Sequence, residues 1–370
     1  MMNTGLDVFV IGGGPAGLAA AISAAQQGLR VALADCAHPP IDKACGEGLM
    51  PDSLEALAKL GISLEGCDTG VFRGIRFLGR EGAVEAAFPR GIGLGIRRTI
   101  LHGLMVERAA ALGVRLLWGA RVSNVKNGEV EVNGDRLRCR WIIGADGQNS
   151  RVRSWAGLAS GRIYERRIGL RRHFRIRPWS EFVEIYWGED RQAYITPIGS
   201  QEICVALISR QRFASFDVAL EYFPQLWARL RCAAPSTPVK GAMTVTRRLK
   251  SVVRGPFVLI GEASGSADAI TGEGLAVSFR QASALGRALA ANDLSLYAAA
   301  HQQITALPHF LGRSMLLMDK HSWVRRRALG AFAQRPGLFA RLLSVHVGEL
   351  PLRDFGISGI LNVGWRLLTA

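Results

Sequence analysis

The stretch Asp7-Val8-Phe9-Val10-Ile11-Gly12-Gly13-Gly14-Pro15-Ala16-Gly17 decides how the chain begins to fold. Apolar residues run unbroken from Val8 to Ile11, which predicts a strand over Asp7–Ile11 covered on both faces. Three glycines and a proline stop that strand, and the alanine-rich segment after them predicts a helix over roughly Ala16–Gln27. A second apolar segment, Arg30–Ala34, completes a strand–helix–strand unit. Within the turn, Gly12-x-Gly14-x-x-Gly17 has the spacing of a dinucleotide-binding fingerprint. Gly12 permits the tight turn, Gly14 lets the backbone approach a pyrophosphate, and Gly17 allows close helix–strand packing. The helix start at Pro15 and Ala16 offers free N–H groups and the positive end of its dipole to phosphate. Asp35 ends the second strand, about 20 residues further on, where a carboxylate accepts ribose hydroxyl hydrogens and repels a 2′-phosphate.

Outward from this unit, helices are expected at about Asp52–Leu60 and over Thr99–Leu112, the latter ending on Gly113. Strands follow near Arg115–Trp118, Glu129–Val132 and Trp141–Ile143. Residues 163–210 carry β-like segments at Ile168–Ile176, Phe182–Trp187, Gln192–Pro197 and Glu202–Ile208, which predict an antiparallel sheet distinct from the opening fold. A short strand, Phe257–Ile260, enters a glycine-rich loop and a helix over about Glu273–Ala291, and from Leu296 the pattern is mostly helical. The 370 residues are 49% hydrophobic and 21% charged, with 43 glycines spread along the chain, which excludes a disordered or coiled-coil protein. The formal net charge is +16, yet 40 of the 46 basic residues are arginine and the longest basic run is Arg325–Arg327. Scattered arginine is not a nucleic-acid footprint; an anionic partner suits it better. Six cysteines without a CxxC read as reduced thiols of a cytoplasmic protein, and no metal site is expected. The N-terminus lacks a basic leader, and no run of 18 apolar residues predicts a transmembrane helix.

Two further motifs stand in order behind the first. Trp141-Ile142-Ile143-Gly144-Ala145-Asp146-Gly147, followed by Ser150 and Arg151, resembles the Asp-Gly signature of the p-hydroxybenzoate hydroxylase-like flavoproteins. Val258-Leu259-Ile260-Gly261-Glu262-Ala263-Ser264-Gly265, followed by Thr271-Gly272-Glu273-Gly274-Leu275, resembles that group's Gly-Asp motif, whose carboxylate holds the flavin ribityl chain. The resemblance covers about three quarters of the chain, residues 12 to 275 carrying the motifs. It identifies the chain as similar to FAD-dependent oxidoreductases of the group holding aromatic hydroxylases, geranylgeranyl reductases and flavin-dependent halogenases. The implied fold is α/β: a Rossmann-like FAD-binding domain over residues 1–160 and 240–295, interleaved with an antiparallel-sheet substrate domain over 70–95 and 161–239. A C-terminal helical region spans 296–370. By the same resemblance, the loop Lys43-Ala44-Cys45-Gly46-Glu47 packs near the flavin, Arg98 leads a helix toward the cofactor, and Val122 meets the adenine. Gly272, Gly274 and Leu275 begin a helix that points at the pyrimidine side of the ring. Glu262 stands where the family usually has Asp, and Ala269 where it usually has proline.

The family's reactions diverge after flavin reduction. No Trp-x-Trp-x-Ile-Pro motif is present, Trp179 and Trp187 being eight apart, which argues against the halogenase branch. The Asp146-Gly147 signature with Ser150 and Arg151 favours a single-component monooxygenase that hydroxylates a phenolic or polyketide-like substrate. The Cys-Gly-Glu-Gly and Thr-Gly-Glu-Gly loops favour the alternative, a flavin ene-reductase acting on an isoprenoid or other lipid double bond. A flavin-binding protein without turnover is the third reading, suggested by Glu262 and Ala269. With no second GxGxxG, NAD(P)H is expected to reduce the flavin transiently. Tyr194 and His173, on the middle sheet, are candidates to orient or deprotonate a phenol, and Glu47 and Glu273 bring carboxylates from glycine-flanked loops. Residues 313–347 interleave arginines with bulky apolar residues at helical spacing, as in a basic amphipathic segment that meets an anionic membrane surface, an acidic carrier protein or the body of the enzyme.

Overall fold

A computed structural model describes residues 5–79, 82–126 and 128–351. The opening strand, Leu6–Ile11, lies in the middle of a parallel sheet. Val31–Asp35 and then Arg115–Trp118 pair on one side of it, and Asp135–Gly144 and then Phe257–Leu259 on the other. The register Val8↔Trp141 and Val8↔Val31 places apolar residues from three strands side by side. Val8, Phe9, Val10, Ile142 and Ile143 are wholly buried, as expected of a sheet covered on both faces. The helices Pro15–Gln26 and Gly274–Ala290 pack together on it; at Gly286, where a Cβ would lie 2.3 Å from Ser23 Oγ, they come close enough to need glycine.

The second sheet is nine-stranded and centres on Gly161–Arg175, Glu202–Ser209, Arg191–Gly199 and Val183–Trp187, all antiparallel to their neighbours in that order. It takes in Lys240–Leu249, which pairs along Gly161–Arg171, and it gains Gly74–Gly79 through a parallel pairing with Val183–Trp187. Gly70–Phe72 and Gly93–Gly95 do not join it. With Gly48–Leu49 they form a separate three-stranded sheet, and a Cβ at Gly95 would lie 1.7 Å from the Pro197 carbonyl oxygen. That close approach is why this small sheet is built from glycine.

Three helices, Leu294–Lys320, Ser322–Gln334 and Pro336–His346, follow the flavoprotein motifs. Phe332 stacks on Phe339 at 5.0 Å, and Phe339 meets Phe77 of the second sheet at 4.9 Å. Arg325, 9% exposed, donates to the Met318 carbonyl. The apolar face of residues 322–346 is thus spent on the second sheet, and the outward face of the preceding helix carries Phe310, Arg313, Leu317 and Lys320. No helix among the described residues is long and apolar enough to cross a membrane.

Candidate functional site

The C-terminal ends of Leu6–Ile11 and Asp135–Gly144 lie together where the strand order reverses, the place at which open α/β sheets take ligands. Gly12 has φ +111°, and a Cβ there would lie 2.4 Å from the Ala145 carbonyl oxygen; one at Gly17 would lie 1.8 Å from the Gly12 carbonyl oxygen. Gly14 differs. Its backbone is extended (φ −70°, ψ 176°), and a Cβ would come no nearer than 3.9 Å to any other residue, at Arg98 Nη2. Gly14 is bare toward a cavity rather than squeezed by protein. Asp35 Oδ2 accepts from the Gly13 amide at 2.6 Å and Oδ1 from the Ala37 amide at 2.8 Å, so the carboxylate first fixes the turn and keeps its remaining lone pairs for the cavity it lines.

His102 was missed by sequence reasoning. It is fully buried one turn after Arg98, and its Nε2–H donates to the Gly13 carbonyl at 2.9 Å. Burial pushes its imidazole below the usual range, which keeps it neutral. The available signal was the helical spacing from Arg98 to His102; nothing local identified Gly13 as the partner.

The second motif caps a short helix. Asp146 Oδ2 accepts from the amides of Arg151 (2.7 Å) and Val152 (3.1 Å), and Ser150 Oγ accepts from the Arg153 amide. The buried Arg153 guanidinium spans to the third motif, donating to the carbonyls of Gln148 and Ala263. In that motif, Gln281 accepts from the Gly261 amide at 2.8 Å. Glu262 is held by Lys43 at 2.6 Å across the cavity wall, a contact over 219 residues of sequence that gives the longer carboxylate a fixed partner. At the Ala269 position, Asp268 caps the turn through the Ile270 amide and is itself gripped by the buried Arg167. Gly272, at φ +71°, and Gly274 both face open space.

All of these elements line one cavity of about 930 Å³. Its walls include Gly12, Gly14, Pro15, Ala16, Asp35, Lys43, Cys45, Gly46, Arg98, Val122, Asp146, Gly147, Glu262, Gly272, Gly274 and Leu275. Gly17 lies behind them, against Gly12. The cavity extends to the second sheet, where Ile75, Val183, Ile185, Tyr194, Ala206 and Ile208 form an apolar wall. Asp146 Oδ1 and Arg98 Nε are buried there without a hydrogen-bond partner. Together with the bare Gly14 and the helix start at Pro15, they fit a ligand with phosphates and hydroxyls at this end, as FAD has. The glycine turn and Arg98 would hold the pyrophosphate, Asp35 and Val122 the adenosine, and Glu262 with Lys43 the ribityl chain. The flavin ring would then lie toward Gly272–Leu275 and the apolar wall.

The candidate catalytic residues do not stand free. Glu47, at φ +59°, lines the cavity, and its carboxylate accepts from the Arg98 amide at 3.0 Å and pairs with His173 Nε2 at 2.6 Å. Both residues of that pair are nearly fully buried. Arg171 Nη1 lies 3.2 Å from His173 Nδ1; a guanidinium only donates, so Nδ1 accepts and the Nε2–H points at Glu47. Arg171 is anchored in turn by Asp42. Cys204 Sγ lies within 4.8 Å of the Glu47 and His173 ligand atoms, but burial pushes its thiol well up and the guanidinium beside it disfavours a cation. Tyr194 lines the cavity and donates its hydroxyl to the Ile270 carbonyl at 3.0 Å; burial raises its phenol. Glu273 lines the cavity where the Gly274 helix begins and is buried near Arg280 and His346.

A family model described as an FAD binding domain matches residues 5–294. A menaquinone reductase of Mycolicibacterium smegmatis is 29% identical over 308 residues, 74% of each chain. A digeranylgeranylglycerophospholipid reductase of Methanocella arvoryzae is 26% identical over 74% of each. A rifampicin monooxygenase of Streptomyces venezuelae is 28% identical over 41% of this chain and 34% of its own. Among solved structures, a flavoprotein/dehydrogenase from Cytophaga hutchinsonii superposes with a TM-score of 0.84 over 98% of both chains at 18% identity, which shows a shared fold.

Proposed function

Because the chain belongs to the FAD binding domain family and is an FAD-dependent oxidoreductase, we propose that it is a flavin ene-reductase that saturates a carbon–carbon double bond of an isoprenoid lipid, with NAD(P)H as the transient reductant. The observation that carries this reading is the state of the groups offered for phenol chemistry. Tyr194 spends its hydroxyl on Ile270, and His173 is locked between Glu47, Thr237 and Arg171. The wall that Tyr194 shares with Ile75, Val183, Ile185, Ala206 and Ile208 is largely aliphatic and suits a hydrocarbon chain. The relatives aligned over 74% of their length carry reductase names, one for menaquinone and one for digeranylgeranylglycerophospholipid.

Bound flavin supplies hydride chemistry, and the protein's part is to bind, orient and exclude water. The Glu47–His173–Arg171 assembly pins the loop from Lys43 to Gly48 against the Arg98 helix, so two cavity walls keep one relative position. The Tyr194–Ile270 bond ties the apolar wall to the turn that starts the Gly274 helix. On one helix, Thr305, Pro308 and His309 line the cavity while Phe310, Arg313, Leu317 and Lys320 are exposed; we read that exposed face as the surface that meets an anionic membrane holding the lipid.

A second reading, substrate hydroxylation, is favoured by the monooxygenase names among the relatives. NAD(P)H oxidation with a polyprenyl quinone or a geranylgeranyl lipid separates the two. The reductase reading expects lipid-stimulated turnover that persists without oxygen. Turnover that stops under anaerobic conditions would contradict it and support the monooxygenase.

A further inference from the structure

Behind the Gly272–Leu275 end of the cavity, three helix ends meet around four side chains that the reaction above does not use. Asp52 lies in the first turn of Pro51–Lys59, Glu273 precedes Gly274–Ala290, Arg280 lies within that helix, and His346 ends Pro336–His346. Arg280 Nη2 is 3.7 Å from Asp52 Oδ2 and 4.0 Å from Glu273 Oε1, and His346 Nδ1 is 3.7 Å from Glu273 Oε2. These separations exceed direct hydrogen bonds. Both carboxylate oxygens of Asp52 and of Glu273 are buried without a hydrogen-bond partner, as are Nε and Nη2 of Arg280. Glu273 is 2% exposed and His346 8%. Among the described residues, Glu55 and Lys59 on the Asp52 helix pair at 2.6 Å with both side chains exposed, and Arg90 and Glu349 pair at 3.7 Å with the arginine 83% exposed; solvent screens both.

Two carboxylates facing one permanent guanidinium leave one negative charge in excess. An uncompensated buried charge is strongly disfavoured, so Asp52 and Glu273 hold one proton between them at rest and, as a coupled pair, have room for a second. Burial, the largest influence on each, pushes both carboxyls up toward the protonated form, with Arg280 and His346 opposing it.

We propose that Asp52, Glu273, Arg280 and His346 form a proton store that fills when negative charge arrives at the cofactor end of the Gly274 helix, and so tunes the potential of the bound flavin. The proposal rests on the FAD reading and not on the choice of substrate. Hydride from a nicotinamide donor would bring two electrons and one proton to a bound flavin and leave one added negative charge at that end of the helix. A second proton, from solvent, joins the store and restores neutrality.

The midpoint potential of the FAD-loaded full chain, followed spectroelectrochemically from roughly pH 5 to 9, tests this. A two-electron couple that takes up one proton falls by ~30 mV per pH unit, and one that takes up two falls by ~59 mV, each tenfold change in equilibrium constant being ~29.6 mV. Wild type is expected to show a steep segment of ~59 mV per pH unit that returns to ~30 mV when both carboxyls are removed together, as Asp52→Asn with Glu273→Gln. A steep segment that survives in the paired variant places the second proton on the flavin and overturns the proposal. A wild-type slope of ~30 mV throughout overturns it without any variant. Failure of the chain to bind FAD would instead sink the cofactor reading on which the proposal rests.

Discussion

Two glycines of the same turn are expected to fail in opposite ways when each is replaced by alanine. At Gly17 the new Cβ falls 1.8 Å from a backbone oxygen, that of Gly12, which has no flexible end to move aside. Overpacking of this kind costs about 1–3 kcal/mol, and contact with backbone belongs at the upper end. Gly17→Ala should therefore lower the melting temperature of the cofactor-free protein by several degrees. At Gly14 the backbone already has dihedrals open to any residue, and the nearest atom is a guanidinium nitrogen 3.9 Å away. The cofactor-free Gly14→Ala protein should melt within about 1 kcal/mol of wild type, the cost of alanine at a helix N-cap. Its Cβ, however, occupies the approach to the helix N-terminus, where one charge-assisted hydrogen bond to phosphate contributes about 1.5–3 kcal/mol. FAD affinity should fall roughly 10- to 150-fold. Thermal melts without cofactor and FAD titration by flavin fluorescence give both numbers. Gly14→Ala with wild-type FAD affinity would refute the placement of the pyrophosphate, whatever the outcome at Gly17.

His301, buried with Nε2 3.0 Å from Ser264 Oγ, is pushed down by burial from 6.5 to about 4. Its folded-state value is depressed, so its contribution is full above pH 6.5 and is lost as pH falls toward 4; at about 1.4 kcal/mol per pH unit this amounts to about 3 kcal/mol. Urea unfolding of His301→Asn should show a flatter acid limb than wild type, and parallel limbs would dismiss the assignment. Glu47→Ala removes one partner of a buried pair and the carboxylate at the start of the Arg98 helix, so a loss of about 3–5 kcal/mol is expected in unfolding experiments. A Glu47→Ala protein of wild-type stability but without turnover would return Glu47 to the catalytic list. Pairing Phe310→Ser with Leu317→Ser should reduce co-sedimentation with anionic vesicles more than tenfold, each large apolar side chain contributing about 1.5–3 kcal/mol when buried; equal binding to zwitterionic vesicles, or none at low salt, would argue against a membrane landing face.

What was legible in the sequence is what short-range sterics dictate. The glycine turn, the strands beside it and the Asp-Gly cap at Asp146 are each specified within a few residues, because a tight turn or a helix N-terminus admits few side chains. The second sheet was legible as a run of β-like segments, but its membership was not. Lys240–Leu249 joins by long-range pairing, and the strands at residues 48–49, 70–72 and 93–95 are too short to have a period. The polar partners were hidden for the same reason. Glu47 and His173 are 126 residues apart, Lys43 and Glu262 are 219 apart, and Glu273 meets His346 from a helix outside the motif region. Residues selected as reactive from their type and their loops are in part engaged with one another. That engagement, visible only in three dimensions, is what the ene-reductase proposal rests on. The surplus of arginine also gains a partial account: Arg153, Arg167 and Arg171 are interior braces, while Arg313 remains on the outward helix face.

The central claim is tested most directly by the mass of the product from a single anaerobic turnover. FAD-loaded enzyme, reduced stoichiometrically and freed of excess reductant, is mixed with a polyprenyl quinone or a geranylgeranyl lipid in vesicles, and the lipid is recovered for mass spectrometry. The reductase reading expects the hydrocarbon chain to gain two hydrogens as the flavin reoxidises. Flavin that stays reduced until oxygen is admitted, followed by lipid carrying one added oxygen atom, would contradict it.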